Sequence, residues 1–312
     1  MDGPRVRVLF CDACGAPLDA HSWDAFVLCR YCASTNAVGA PLQSAMLDDG
    51  RPRLNVGGRT YVIEGRIAQG DASDVYRARW AMRLGELVVL KVNRSLKDAD
   101  LLRRQFYTLE RLAVASEAST APIAARLPQP IAYGPIGASD RPQHWVAVYR
   151  WRSGFVHTLE DVLRIHPGGV DGRIAVWILK RSLEVLGYVH RAGIVHGAVL
   201  PPHLLIHPRD HGVCLVGFGT SAPIGQPSPA ISRAWASWYP NGAAISPSTD
   251  LAQLGRCIRS IAADLASPVR ELVAELESGR TTDAWDAAQR LGPASRSAYG
   301  PPAYNPLPMP GW

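Results

Sequence analysis

The sequence predicts an α+β protein in which a small cysteine-bound module precedes a β-rich unit and a mainly helical one. Three observations predict it. Two Cys-x-x-Cys pairs stand within residues 11–32, β-branched runs crowd residues 60–93, and helical periodicity dominates from residue 173 onward. The chain has 312 residues, 47% hydrophobic and 19% charged, so it is long enough for more than one core. An apolar fraction of this size excludes wholesale disorder. No stretch approaches the ~18 continuous apolar residues of a membrane-spanning helix. The N-terminal apolar run is too short for a secretory signal. A cytoplasmic protein with no membrane partner is the expectation.

Cys11 and Cys14 form the first pair, Cys29 and Cys32 the second, with fourteen residues between the pairs. Two cysteines three apart on a tight turn can aim both thiolates at one cation, and two such turns complete a tetrahedron. Gly15, after Cys14, tolerates the left-handed backbone such a turn uses. Disulfides are the competing reading, disfavoured where no secretory signal is present. A structural Zn2+ held by Cys11, Cys14, Cys29 and Cys32 is therefore expected, with no open position left for catalysis. The metal would hold residues 1–45, a zinc ribbon too small for a core of its own. Cys214 and Cys257 stand alone in the apolar runs GVCLVGF and LGRCIRSI and read as packing residues.

Net charge is +6. Residues 1–50 carry three arginines against six aspartates, so the positive excess lies beyond them, spread without a Lys/Arg block. That distribution opposes a nucleic-acid-binding zinc ribbon and makes nucleic acid an unlikely partner.

Residues 46–57 are rich in turn formers and charge and read as a linker. TYVIEGRIA and ELVVLKVN are strand-like and flank a glycine-containing loop, and HWVAVYRW is a further strand. Residues 98–116 have helical spacing, with Leu102, Phe106, Leu109, Leu112 and Ala113 on one face. Residues 173–193 form a long amphipathic helix closed by Ala-Gly. Short apolar strands then alternate with Pro and Gly to about residue 247. Helices follow in STDLAQLGRCIRSIAAD, SPVRELVAELESG and TTDAWDAAQRL. Residues 292–312 are a Pro- and aromatic-rich tail that cannot form a packed element alone. Its Tyr299, Tyr304 and Trp312 predict docking in an apolar groove, on this chain or on a partner.

The order of these motifs resembles a protein kinase. The stretch Ala68–Val75 lies where kinases carry G-x-G-x-x-G-x-V; Gly70 and Val75 match, while Ala68 and Ser73 replace the outer glycines. Val88–Lys91 fits the lysine strand, and Glu110 sits where the family places the lysine's carboxylate partner. His196-Gly197-Ala198 stands in the catalytic loop, Gly217-Phe218-Gly219 at the D-F-G turn. Asp250 matches the aspartate that braces the catalytic loop, and Arg280 falls near a late structural arginine. The resemblance covers residues 58–291 and implies a two-lobed fold, with an N-lobe over 58–151 and an abbreviated C-lobe over 152–291.

The departures carry the function. The resemblance places the catalytic aspartate at Ala198, the magnesium-binding aspartate at Gly217, the second metal ligand at His203 and the catalytic-loop lysine at Leu200. Magnesium demands oxygen ligands, which neither a methyl nor a bare glycine offers. No Mg2+ site is therefore expected, and no catalytic residues: the chain reads as a pseudokinase. Gly70, Val75, Lys91 and Glu110 could hold ATP, weakly or not at all, because Ala68 and Ser73 crowd the backbone's approach to phosphates. Lys91 and Glu110 read as an internal ion pair that fixes the helix against the sheet.

A zinc ribbon ahead of such a domain resembles a bacterial group of kinase-like proteins of tellurium-resistance-type systems. That resemblance implies a scaffold or regulator with protein partners, among them a von Willebrand A-like protein and a PP2C-type phosphatase. The rival reading is an atypical transferase of phosphate or AMP, its metal held by Asp71 and Asp74 or by His203 and His207.

Overall fold

The computed structural model describes residues 9–11, 14, 16–18, 26–29, 32, 34–37, 51–82, 86–116, 120–136, 144–239 and 244–310. Trp312, and residues 38–50 at the ribbon's end and the linker's start, lie outside the described residues. The chain divides into two compact units: Met1–Phe106 with Pro130–Trp151, and Tyr107–Gln129 with Arg152–Trp312.

The first unit opens with two small hairpins. β1 (Leu9–Phe10) pairs with β2 (Pro17–Leu18), and β3 (Phe26–Leu28) with β4 (Thr35–Ala37), both antiparallel. Each hairpin carries one cysteine pair in its turn. Then comes a six-stranded antiparallel sheet in the order β5-β6-β7-β8-β10-β9. Its strands are β5 (Arg53–Val56), β6 (Arg59–Gln69), β7 (Ser73–Trp80), β8 (Leu87–Asn93), β9 (Pro130–Pro135) and β10 (Trp145–Arg150). Successive strand side chains alternate faces, so Val88, Leu90 and Val92 of β8 join Val146 and Val148 of β10 in one apolar layer. The same alternation puts Lys91 on the opposite face.

The linker expected over 46–57 ends sooner than its composition suggests. Arg53–Val56 is an edge strand, with Leu54 and Val56 buried in the sheet core. Four residues with two apolar positions in alternation are enough once a neighbouring strand supplies hydrogen bonds.

Helix α1 (Ala99–Val114) buries Leu102, Phe106, Leu109 and Leu112 at the expected spacing, whereas Ala113 is exposed. Its second half belongs to the second unit, which departs from an N-lobe running unbroken over 58–151. There the Tyr188 hydroxyl donates to Leu112 O, and Arg126 pairs with Glu184.

The second unit contains α2 (Ala121–Ala124), α3 (Leu159–Ile165), α4 (Gly172–Arg191), α5 (Pro247–Ile261), α6 (Ser267–Glu277) and α7 (Ala284–Tyr299). Its strands are short: β11 (His157–Thr158), β12 (Ile194–Val195), β13 (Leu204–His207), β14 (Gly212–Leu215) and β15 (Ala222–Pro223). The apolar face of α4 is the unit's spine. Cys214 and Cys257 are buried among packing side chains, as expected, and burial pushes both thiols well up.

The last helix runs eight residues past the expected end at 291, carrying Gly292 and Pro293 inside it. Tertiary contacts offset the missing proline N–H. Tyr299 packs so tightly that a Cβ on Gly172 would lie 2.2 Å from its hydroxyl, which accepts a hydrogen bond from Ala266 N at 3.0 Å.

Beyond α7 the tail lies on the helical unit itself. His166 Nε2 meets Pro308 O and His211 Nε2 meets Asn305 O, each at 2.8 Å. The Tyr304 ring stacks on His211 at 4.6 Å, and His211 stacks on Trp177 at 4.5 Å. Leu307 and Met309 are buried. Of the two expected modes of docking, the described tail residues adopt the intramolecular one.

Candidate functional site

The cysteine module brings together all four expected ligands. Their sulfurs lie within 4.8 Å of one another, with Cys11–Cys32 at 3.5 Å and Cys14–Cys29 at 3.7 Å. A tetrahedron with Zn–S bonds of about 2.3 Å has edges of about 3.8 Å, so the donor set fits a metal ion such as zinc. Backbone bonds from Cys11 N to Ala16 O and from Cys29 N to Ser34 O shape the two knuckles. Ser34 Oγ lies 2.8 Å from Cys32 Sγ and supports it as an outer-shell partner.

The glycine-containing loop is a tight hairpin turn. Ala68 pairs with Val75 and Gln69 with Asp74, and Gly70 N donates to Ser73 O at 2.8 Å. Gly70 does not have a positive φ; a Cβ there would meet Ser73 O at 3.3 Å. Asp74 is buried and Asp71 exposed.

Lys91 meets a partner that sequence reasoning missed. Its Nζ donates to Gln105 Oε1 at 2.6 Å, and Gln105 Nε2 donates to the Tyr149 hydroxyl at 2.9 Å. Glu110, the expected partner, is exposed. Five residues turn a helix by about 140°, so Glu110 points away from the face that carries Gln105. The signal was present: Gln105 falls between Leu102 and Leu109 on the apolar stripe, where a polar side chain needs a buried partner. Burial beside a neutral amide pulls the Lys91 ammonium down to about 8.

This gives a pH dependence with a definite sign. Between about pH 8 and the ordinary lysine range the unfolded chain binds more protons than the folded one, so stability rises with pH there. Below pH 8 the folded state carries the whole cost of the buried charge. Wild type should therefore gain stability relative to Lys91→Met as pH rises from 7 to 10, read as urea midpoints. An equal difference at both pH values would contradict the burial of this ammonium beside a neutral amide.

In the second unit, Asp250 organises the loop that the resemblance matches to a kinase catalytic loop. Ser246 and Thr249 form a capping box with Pro247 at the first turn of α5, which puts Asp250 at the helix start. Its carboxylate, 0% exposed, accepts from His196 N and Gly197 N at 2.8 Å and meets His190 Nε2 at 2.9 Å. Gly197 has φ +77, and a Cβ there would meet Thr220 O at 2.9 Å. Asp250 thus ties the start of α5 to residues 196–197. Arg280 is exposed and bonds Ser278, while Arg290 makes a bidentate pair with Glu275.

Of the residues that the resemblance places at the chemistry, Ala198, Leu200 and Gly217 are buried and His203 is half-buried. Ala198 and Leu200 are each 1% exposed. His196 Nε2 donates to Val216 O at 2.9 Å, while its Nδ1 accepts from Ala198 N at 3.2 Å. His203 Nδ1 donates to Ala198 O at 2.8 Å. That bond lays the His203 ring against Gly217, whose φ is +89; a Cβ at Gly217 would lie 2.6 Å from the ring. His207 accepts from Asp210 N and packs edge-on to Phe155, a local role of its own. Residues 196–203 and 216–219 contain no carboxylate, carboxamide or hydroxyl. A hard cation that needs oxygen donors finds no side-chain ligand on them.

No protein-family model matches the chain. The Serine/threonine-protein kinase PknL of Mycobacterium tuberculosis is 32% identical over 181 residues, covering 57% of this chain and 39% of that protein. The PknL of Mycobacterium bovis matches to the same extent. The chain spans about two fifths of the length of the curated relatives it matches. Among solved structures, vaccinia related kinase 3 aligns with a TM-score of 0.59 at 16% identity, over 82% of this chain and 93% of that one. The BubR1 kinase domain aligns with a TM-score of 0.59 at 14% identity, over 83% and 86%. Identities this low speak to fold alone. Among the described residues, no helix is long and apolar enough to cross a membrane. The antiparallel sheet, the helical second unit and these likenesses together make the chain a protein of kinase-like fold.

Proposed function

We propose that the chain is a catalytically silent kinase-like protein, a pseudokinase, that acts as a protein-binding scaffold or regulator in a bacterial signalling complex. One observation carries the reading: the His203 ring, tied to Ala198 O, fills the space a side chain at Gly217 would need. Three departures from a kinase thus support one another. The base position is a buried methyl, the D-F-G position is a glycine, and the second ligand position covers that glycine. Without a metal, charge developing on a transferred phosphoryl group has no counter-charge, and that stabilisation is most of the catalysis.

In this reading the cysteine module holds a structural Zn2+ on Cys11, Cys14, Cys29 and Cys32 and supplies no chemistry. ATP binds weakly or not at all, at Lys91 and the Gly70–Val75 hairpin. The partners are proteins, a von Willebrand A-like protein and a PP2C-type phosphatase among them, and the compartment is the cytoplasm, where the thiols stay reduced. The test is incubation of the full chain with γ-labelled ATP and Mg2+ or Mn2+; no label should be transferred to the chain or to an added acceptor.

A further inference from the structure

Arg94 immediately follows β8 and touches two features that the sequence treats as separate. Its backbone N donates to Ala72 O at 3.0 Å and its Nη1 to Gly70 O at 3.1 Å, both on the β6–β7 turn. Its Nη2 donates to Cys32 O at 3.1 Å, on the second cysteine knuckle. A guanidinium is a planar fork that can serve two carbonyls at once, which an ammonium on a flexible stem does poorly. The Cys32 carbonyl can hold its end of this clamp only while its knuckle keeps its shape. In a segment too small for a core, bound metal is what keeps that shape. Four thiolates around a divalent cation also leave net negative charge beside the guanidinium, which favours the contact further.

We propose that metal occupancy of the cysteine module sets the rigidity of the Gly70–Ser73 turn, with Arg94 as the positioning residue that transmits it. The coupling acts in two steps. Metal orders the Cys29–Cys32 knuckle and fixes the Cys32 carbonyl. Arg94, anchored there, then holds Gly70 O and keeps the turn closed over its Gly70 N to Ser73 O bond. The coupling does not depend on whether the chain transfers phosphate, so label transfer from ATP would leave it standing.

The reporter is amide exchange at Gly70 in the full chain, measured with one equivalent of Zn2+ bound and again after stripping with a chelator. Loss of a charge-assisted hydrogen bond should speed exchange by about tenfold on stripping. In Arg94→Lys, exchange should already be fast with zinc bound and indifferent to the chelator, while metal analysis still finds one zinc per chain. Arg94→Gln provides the same comparison should the lysine variant fail to fold, and the thermal transition of each variant separates loss of the clamp from loss of the fold. Three outcomes overturn the proposal: a wild-type chain that binds no zinc, exchange at Gly70 unchanged when zinc is removed, or a folded Arg94 variant with the full metal response.

Discussion

Gly217→Asp, which puts a carboxylate where the resemblance places the D-F-G aspartate, is expected to destabilise the protein by about 2–4 kcal/mol. Two costs add. The residue has φ +89, where an L side chain is strained, and the new Cβ would lie 2.6 Å from the His203 ring. The ring cannot simply swing aside, because its Nδ1 is bonded to Ala198 O. Adding His203→Asn removes the ring and should recover part of the loss, leaving the backbone cost. Denaturant midpoints of the single and double variants read this directly. A single variant as stable as wild type would show that the turn has room, and the steric support for the proposed catalytic silence would be gone.

Deleting residues 301–312 is expected to lower stability by about 2–4 kcal/mol and the thermal midpoint by roughly 5–10 °C. The deletion uncovers the sites of Leu307 and Met309 and removes Tyr304 from the His211–Trp177 stack. It also leaves His166 and His211 without the carbonyls of Pro308 and Asn305. Burial of the two apolar side chains outweighs the entropy of ordering a proline-rich segment, whose φ angles are already restricted. An unchanged melting temperature would mean that the tail rests on the surface without contributing to the fold.

Much of the fold was legible because it rests on periodicity and order. The strand at 87–93 and the helices at 99–114, 172–191 and 247–261 announce themselves by alternation or by a 3.6-residue stripe. The edge strand at 53–56 did not, since four residues beside Gly57 and Gly58 carry the composition of a turn. The extension of the last helix to Tyr299 was hidden by Gly292 and Pro293, which local rules read as a stop; contacts of Tyr299 with Gly172 and Ala266 override them. In the site, Ala198 and Gly217, which the resemblance sets where kinases carry aspartates, are read straight from the sequence, because residue identity needs no geometry to recognise. The partner of Lys91 was not, because family spacing pointed at a carboxylate while helix rotation selected Gln105. The contact of His203 with Gly217 joins residues fourteen apart through a bend of the chain that no local pattern encodes.

The central claim is that this kinase-like fold no longer supports metal-assisted phosphoryl transfer. Its most direct test is a time course with γ-labelled ATP and saturating Mg2+ or Mn2+, run on the full chain beside Lys91→Ala. The account predicts that neither protein, and no added acceptor, gains label above the background of heat-treated chain. Label that accumulates on wild type and is lost in Lys91→Ala would contradict it, and would mean that the chain finds its metal ligands outside the loops at 196–203 and 216–219.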